Sequence, residues 1–242
     1  MKKVKRKLIS GTIIAVCAVA VLGVVAIFGD KAESGAIPVS VDYKAEKPVI
    51  VLDAGHGGMD GGCSTADGVP EKGINLSILL HLRDMLEISG YDVIVTRDTD
   101  ISIHDKGIEG IANQKSSDMD NRLAVFNGQS NAICISIHQN QFTDSKYSGA
   151  QMFYSDSNSK NEELARTIQG KFVENLQPEN SREIKLCGKE LFLCYFSENP
   201  TVMVECGFLS NPDEAELLKT EEYQAKVAFT VFSGINEFVY KQ

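Results

Sequence analysis

Apolar positions along the chain fall into short blocks whose period changes repeatedly. Val49 to Asp53 is a continuous apolar run closed by an aspartate and reads as a strand. From Gly73 to Ser89 the apolar residues Ile74, Ile78, Leu82 and Met85 recur at three- and four-residue spacing, which predicts a helix. Tyr91 to Thr96 follows as a second strand and Met119 to Asn127 as a second helix. Ala132 to His138 predicts a third strand, and its unbroken apolar character places it in the sheet interior, covered on both faces. Ala150 to Tyr154 reads as a strand and Asn161 to Leu176 as an amphipathic helix. Leu191 to Phe196 and Thr201 to Glu205 add two strands, and Pro212 to Lys219 and Glu221 to Val239 two closing helices. Strands alternating with helices predict an α/β fold: one domain, with a mostly parallel sheet of about six strands flanked by helices. Between them, Arg97 to Asp118 is long and poor in apolar residues, as expected of a functional or mobile loop.

The first residues obey a different pattern. Lys2, Lys3, Lys5, Arg6 and Lys7 precede Leu8 to Phe28, 21 residues without a charge. A basic flank before an apolar run of that length is an export signal. The only A-x-A, Ala18 to Ala20, lies inside the run, so the reading favours a membrane anchor over a signal peptide cleaved between Gly29 and Ala36. Residues 1–28 are thus expected to be a signal peptide or anchor, 29–47 a linker, and 48–242 the catalytic domain, facing outside the cytoplasm as a membrane-anchored or secreted body. The formal net charge is -9, and beyond the basic cluster 19 basic residues face 33 acidic ones. So acidic a body lacks the cationic face that phosphate neutralisation requires, which excludes nucleic acid as a partner. Of the six cysteines, Cys17 lies in the apolar run, and Cys134, Cys194 and Cys206 lie in apolar blocks where thiols act as small hydrophobes. Packed free thiols are the expectation, with only Cys63 and Cys187 in loops.

Four polar residues stand where an α/β fold builds its sites, near the carboxyl ends of strands. His56 follows the first strand within Asp53-Ala54-Gly55-His56-Gly57-Gly58-Met59-Asp60-Gly61-Gly62, whose glycines permit tight turns and close backbone approach. His138 ends the third strand. Glu205 follows the apolar run Val202-Met203-Val204, a position a carboxylate tolerates only with a charged partner or an altered pKa. Glu71 stands at a helix mouth, where the dipole favours negative charge. Two imidazoles and a carboxylate with an open fourth position suit a hydrolytic zinc site. His81, mid-helix, and His104, in the long loop, have no ligand partner at fitting spacing.

These residues also carry a family resemblance. The segment Asp53 to Gly62, Thr96-Arg97-x-x-Asp100, Ser136-Ile137-His138-x-Asn140 and Val204-Glu205-Cys206-Gly207-Phe208-Leu209-Ser210-Asn211 resemble the motifs of the zinc-dependent N-acetylmuramoyl-L-alanine amidases, in order and spacing from about Val49 to Phe238. The resemblance implies a mixed α/β sheet, a single zinc ion, and cleavage of the amide between N-acetylmuramic acid and the first L-alanine of the peptidoglycan stem. Position by position it makes His56, Glu71 and His138 the zinc ligands and Glu205 the catalytic glutamate. Within the family the chain is most similar to the short, membrane-targeted members of sporulating Firmicutes that prepare spore cortex for muramic-δ-lactam formation, through Gly149 to Tyr154, Val204 to Asn211 and the absence of wall-binding repeats. Many relatives carry a basic residue where Tyr195 stands. Some such amidases need an activator protein, and Arg97 to Asp118 is the expected interface. Three rival readings are a zinc carboxypeptidase or other metallopeptidase, for which an exopeptidase needs a basic residue near the site that the sequence does not place there; a general cell-wall autolysin; and a non-catalytic wall-binding or scaffold protein, which would lack Glu205 or a ligand.

Overall fold

The computed structural model describes residues 47–242; the expected signal peptide or anchor and nearly all of the linker lie outside the described residues. Among the described residues no helix is long and apolar enough to cross a membrane. The elements are β1 (Val49–Ala54), α1 (Glu71–Ile88), β2 (Val93–Val95), α2 (Ile111–Phe126), β3 (Ala132–Asn140), β4 (Gln151–Tyr154), α3 (Asn161–Asn175), β5 (Lys185–Leu186), α4 (Phe192–Phe196), β6 (Thr201–Phe208), α5 (Pro212–Leu218) and α6 (Glu221–Tyr240). They form one six-stranded sheet in the order β2-β1-β3-β6-β4-β5. All neighbours are parallel except β4, which runs antiparallel to β6. The α/β class and the mostly parallel sheet are as the sequence predicts.

Strands β1, β3 and β6 sit at the centre, where both faces are covered, and their continuous apolar sequences follow from that position. One face carries α1, α3 and α6 over a core that includes Ile50, Leu52, Ile135, Ile137, Val202 and Val204. Helices α2 and α4 cover a smaller cluster on the other face around Val51, Cys134, Phe126 and Leu193. Local chemistry sets several helix starts. Asn211 accepts a hydrogen bond from the Glu214 amide ahead of Pro212, and Thr220 does the same for Tyr223.

Two expectations require correction. The apolar run predicted as a strand at Leu191 to Phe196 is the single helical turn of α4, and the sixth strand is instead the two-residue β5. Helix α2 starts at Ile111 rather than Met119, so the excursion shortens to residues 97–110. Its added turns bury no apolar side chain; the helix faces the core through Asp118, Arg122 and Phe126, four residues apart. The five cysteines among the described residues are free, and four of them, Cys134, Cys187, Cys194 and Cys206, are buried, as expected for packed thiols.

Candidate metal centre

Asp53, at the end of β1, organises the ground beneath the site. Its carboxylate accepts hydrogen bonds of 2.7 Å from Thr96 and from Ser136, and pairs with the buried Arg122. Burial would raise its pKa, but Arg122, His138 and the two hydroxyls together hold it below the usual range. Arg122 then reaches past Asp53 to donate to the Ala54 carbonyl at 2.9 Å and the His56 carbonyl at 2.6 Å. Arg97 supports the same turn from the other side, through the carbonyls of Ala54, Gly55 and Lys72. Two buried guanidinium groups therefore fix the backbone that presents His56.

That backbone is strained. His56 has φ 62°, a left-handed conformation that a residue with a Cβ adopts at a cost of roughly 1–3 kcal/mol. The turn aims the ring across the mouth of α1. There Glu71, the first residue of the helix and almost fully buried, places Oε1 2.9 Å from His56 Nε2 and 3.2 Å from His138 Nδ1. The three donor atoms lie within 4.8 Å of one another. Zinc bonds of 2.0–2.1 Å in a tetrahedron need ligand atoms roughly 3.3 Å apart, and an imidazole, imidazole, carboxylate set is one that zinc favours. The residues present fit a metal ion, and the structure brings together the three ligands that the sequence proposed.

Two of the donors are themselves held from behind. His56 Nδ1 is 2.8 Å from Asp60 Oδ2, the carboxylate contact that fixes the ring and leaves Nε2 for a metal. Glu71 Oε2 accepts from the Cys63 amide at 2.9 Å and thiol at 2.6 Å, while Asn75 donates to Oε1 at 3.2 Å. Burial alone would raise the Glu71 pKa, but its contacts with His138 and His56 hold it far below the usual range. For His56 burial favours the neutral ring, yet Glu71 and Asp60 win and raise its pKa. Two glycines make the packing possible. A Cβ on Gly55 would lie 2.1 Å from His138 Cε1, and one on Gly62, where φ is 69°, would lie 2.4 Å from Glu71 Cγ.

Glu205 stands in a different environment. It projects from β6 beside His138, and its Oε2 is buried with no hydrogen-bond partner. Burial, reinforced by the negative charge of Glu71 and only partly offset by His138 and His56, pushes its pKa up to about 7. A carboxyl that exchanges a proton near neutrality, lining the same groove as His56 and His138, is suited to acid-base work rather than ligation. His56, His138 and Glu205 open onto a groove of about 340 Å³ walled by the His56 turn and α2 on one side and by residues 190–193 on the other.

His81 and His104 take no part; His104 bonds the Ser102 hydroxyl at 2.8 Å. Tyr195 is half-buried on α4 and does not line the groove. Sequence reasoning missed Arg122, Asp60 and Lys115. Arg122 meets Asp53 across 69 positions, which no local pattern reveals. Lys115 reaches the groove because α2 begins eight residues earlier than expected, so the basic residue that the sequence did not place near the site is supplied by the fold.

The comparisons with known proteins agree with this geometry. The profile of the N-acetylmuramoyl-L-alanine amidase family matches residues 50–237. The germination-specific N-acetylmuramoyl-L-alanine amidase of Bacillus subtilis (strain 168) is 36% identical over 187 residues, covering 77% of this chain and 78% of the relative. The solved CwlD amidase of Clostridioides difficile, in complex with the GerS lipoprotein, superposes with a TM-score of 0.78 at 36% identity, over 81% of this chain and 100% of that one. An N-acetylmuramoyl-L-alanine amidase from Clostridium difficile 630 gives 0.71 at 26% identity, over 81% and 98%. With its parallel sheet, its His-Glu-His cluster and the motifs that build them all in place, this chain belongs to the N-acetylmuramoyl-L-alanine amidase family.

Proposed function

We propose that the enzyme removes whole stem peptides from spore-cortex peptidoglycan, the step that frees muramic acid for δ-lactam formation, using one zinc ion held by His56, Glu71 and His138. The observation that carries this reading is the pairing of three converging donor atoms with an unpartnered, neutral-poised Glu205. Bound there, zinc supplies Lewis acidity, which activates water near neutral pH and polarises the scissile carbonyl. Glu205 Oε2 takes the proton of the attacking water and returns it to the departing alanine nitrogen, which leaves as a neutral amine. Asp60 holds the His56 imidazole in the orientation that this requires.

The cortex assignment is supported by the similarity to a germination-specific amidase. The relative crystallised with a lipoprotein supports a protein partner for this chain as well. Its docking region is the Arg97 to Asp118 stretch, where Ile101 and Ile111 are exposed beside the groove wall. The basic and apolar N-terminal segment delivers the domain across the membrane and keeps it there, with residues 29–47 as tether.

The test pairs metal analysis of the purified chain with mass spectrometry of digested cortex peptidoglycan. One zinc per chain and release of intact stems beginning with L-alanine are expected. Release of terminal amino acids instead would mark a carboxypeptidase. In the organism, deletion should leave vegetative growth and division normal and yield spores whose cortex lacks muramic-δ-lactam; chains of unseparated cells would mark a general autolysin.

A further inference from the structure

The groove over the metal centre is lined by carboxylates, and nearly all its positive charge is committed within the protein. Asp53, Asp60, Asp118, Glu190 and Glu205 all contribute to its walls. Arg122 is buried and spent on Asp53 and Asp118. The two imidazoles face Glu71. Lys115 differs from these. Its side chain remains 48% exposed on the α2 rim, and its ammonium, which can donate three hydrogen bonds, holds one oxygen of Asp60 at 2.8 Å. It lies two hydrogen bonds from His56 Nδ1, through Asp60.

The two halves of a muramoyl peptide differ in charge. Around the scissile amide the sugar presents hydroxyl and acetamido groups, all neutral, whereas the stem carries free carboxylates, beginning with that of the acidic residue after the alanine. An acidic groove repels such a stem unless a cation receives it. We propose that Lys115 is the specificity-determining residue that receives this carboxylate, so that the stem lies along the α2 rim and the uncharged sugar lies against the opposite rim, Leu191 to Leu193. The ammonium has donors enough to keep Asp60 and bind the substrate together. Lys115 thereby makes the enzyme selective for stems whose second residue is unmodified, over those in which that carboxylate is a carboxamide.

This inference rests on the amide-cleaving reading above. Its test uses two muramoyl peptides identical except that the free carboxylate of the second stem residue is a carboxamide in one. The wild-type enzyme should prefer the carboxylate by roughly tenfold in kcat/KM, the worth of one charge-assisted hydrogen bond at a half-exposed site, with the difference in KM rather than kcat. Lys115→Met should lose the preference while keeping its metal content, and Lys115→Arg should retain it. A lysine that served only to hold Asp60 would lower activity on both substrates equally and leave the ratio unchanged. Equal cleavage of both by the wild type would overturn the role of Lys115 and leave the amidase reading intact; cleavage of neither at the alanine amide would overturn the amidase reading itself.

Discussion

Glu205 stands directly opposite His138 in the register between β6 and β3, so the carboxyl proposed for proton transfer and an imidazole proposed for the metal leave adjacent strands at the same level. The two roles are separable. Glu205→Gln should lower turnover at least 10²-fold, the usual size of a proton-transfer contribution, with zinc still bound at one equivalent. Metal lost in step with activity would make Glu205 a ligand.

The same residue gives the metal-free chain a pH dependence. With a folded pKa near 7 against an ordinary 4.5, the Glu205 carboxyl holds its proton more tightly folded than unfolded. Its contribution to stability is therefore intact below its ordinary pKa and is lost as pH rises through the folded one. After chelation, Glu205→Gln should be no more stable than wild type at about pH 4, and more stable by on the order of 3 kcal/mol at about pH 8. Parallel melting curves across that range would show that Glu205 is not buried as described.

Asp60 touches no donor atom that faces the metal, yet it fixes the His56 ring. Replacing such a carboxylate typically costs 10–100-fold in affinity. Asp60→Ala should show that loss in zinc competition with a chelator, at an unchanged melting temperature without metal. Unaltered zinc affinity would reduce Asp60 to a surface residue.

Gly55 is defined by what it leaves room for. In Gly55→Ala the new methyl would overlap the His138 ring. The ring has to rotate away, so zinc content and activity should fall together while far-UV circular dichroism stays native. Wild-type zinc stoichiometry in this variant would contradict the close approach.

Arg122→Met leaves the Asp53 carboxylate buried without its cation and frees two carbonyls of the His56 turn. The expected loss is about 3–5 kcal/mol at neutral pH. Because the pKa of Asp53 is lowered in the folded wild type, the stability its ion pair confers is present above the ordinary aspartate pKa and fades as pH falls through the folded value. The gap between variant and wild type, measured by urea denaturation, should therefore narrow in acid. A gap independent of pH would assign the effect to packing alone.

The parts legible in the sequence are those whose cause is local. Strands β1, β3 and β6 announce themselves because a strand covered on both faces must be apolar throughout, and His56, His138 and Glu205 are visible because each interrupts or ends such a run. Leu191 to Phe196 has the same apolar and aromatic composition but forms a helical turn, since a short apolar run satisfies either period. The first turns of α2 were hidden for the opposite reason. Their one buried residue, Asp118, bonds Arg122, the Ser102 hydroxyl and the Ile103 amide, so no apolar stripe marks them. Strand β5, two exposed residues long, carries no pattern to read.

The antiparallel strand β4 has one more consequence. Glu205 is paired in the ladder on both sides, with His138 of β3 and with Gln151 of β4. The spacing of Glu205 from His138 along the strands is therefore as stiff as the sheet itself, and a regulator cannot slide one past the other without breaking main-chain hydrogen bonds. Control has to act on what is not woven into the ladder: the occupancy of the metal centre, and the α2 and Glu190 walls that decide which peptide reaches it.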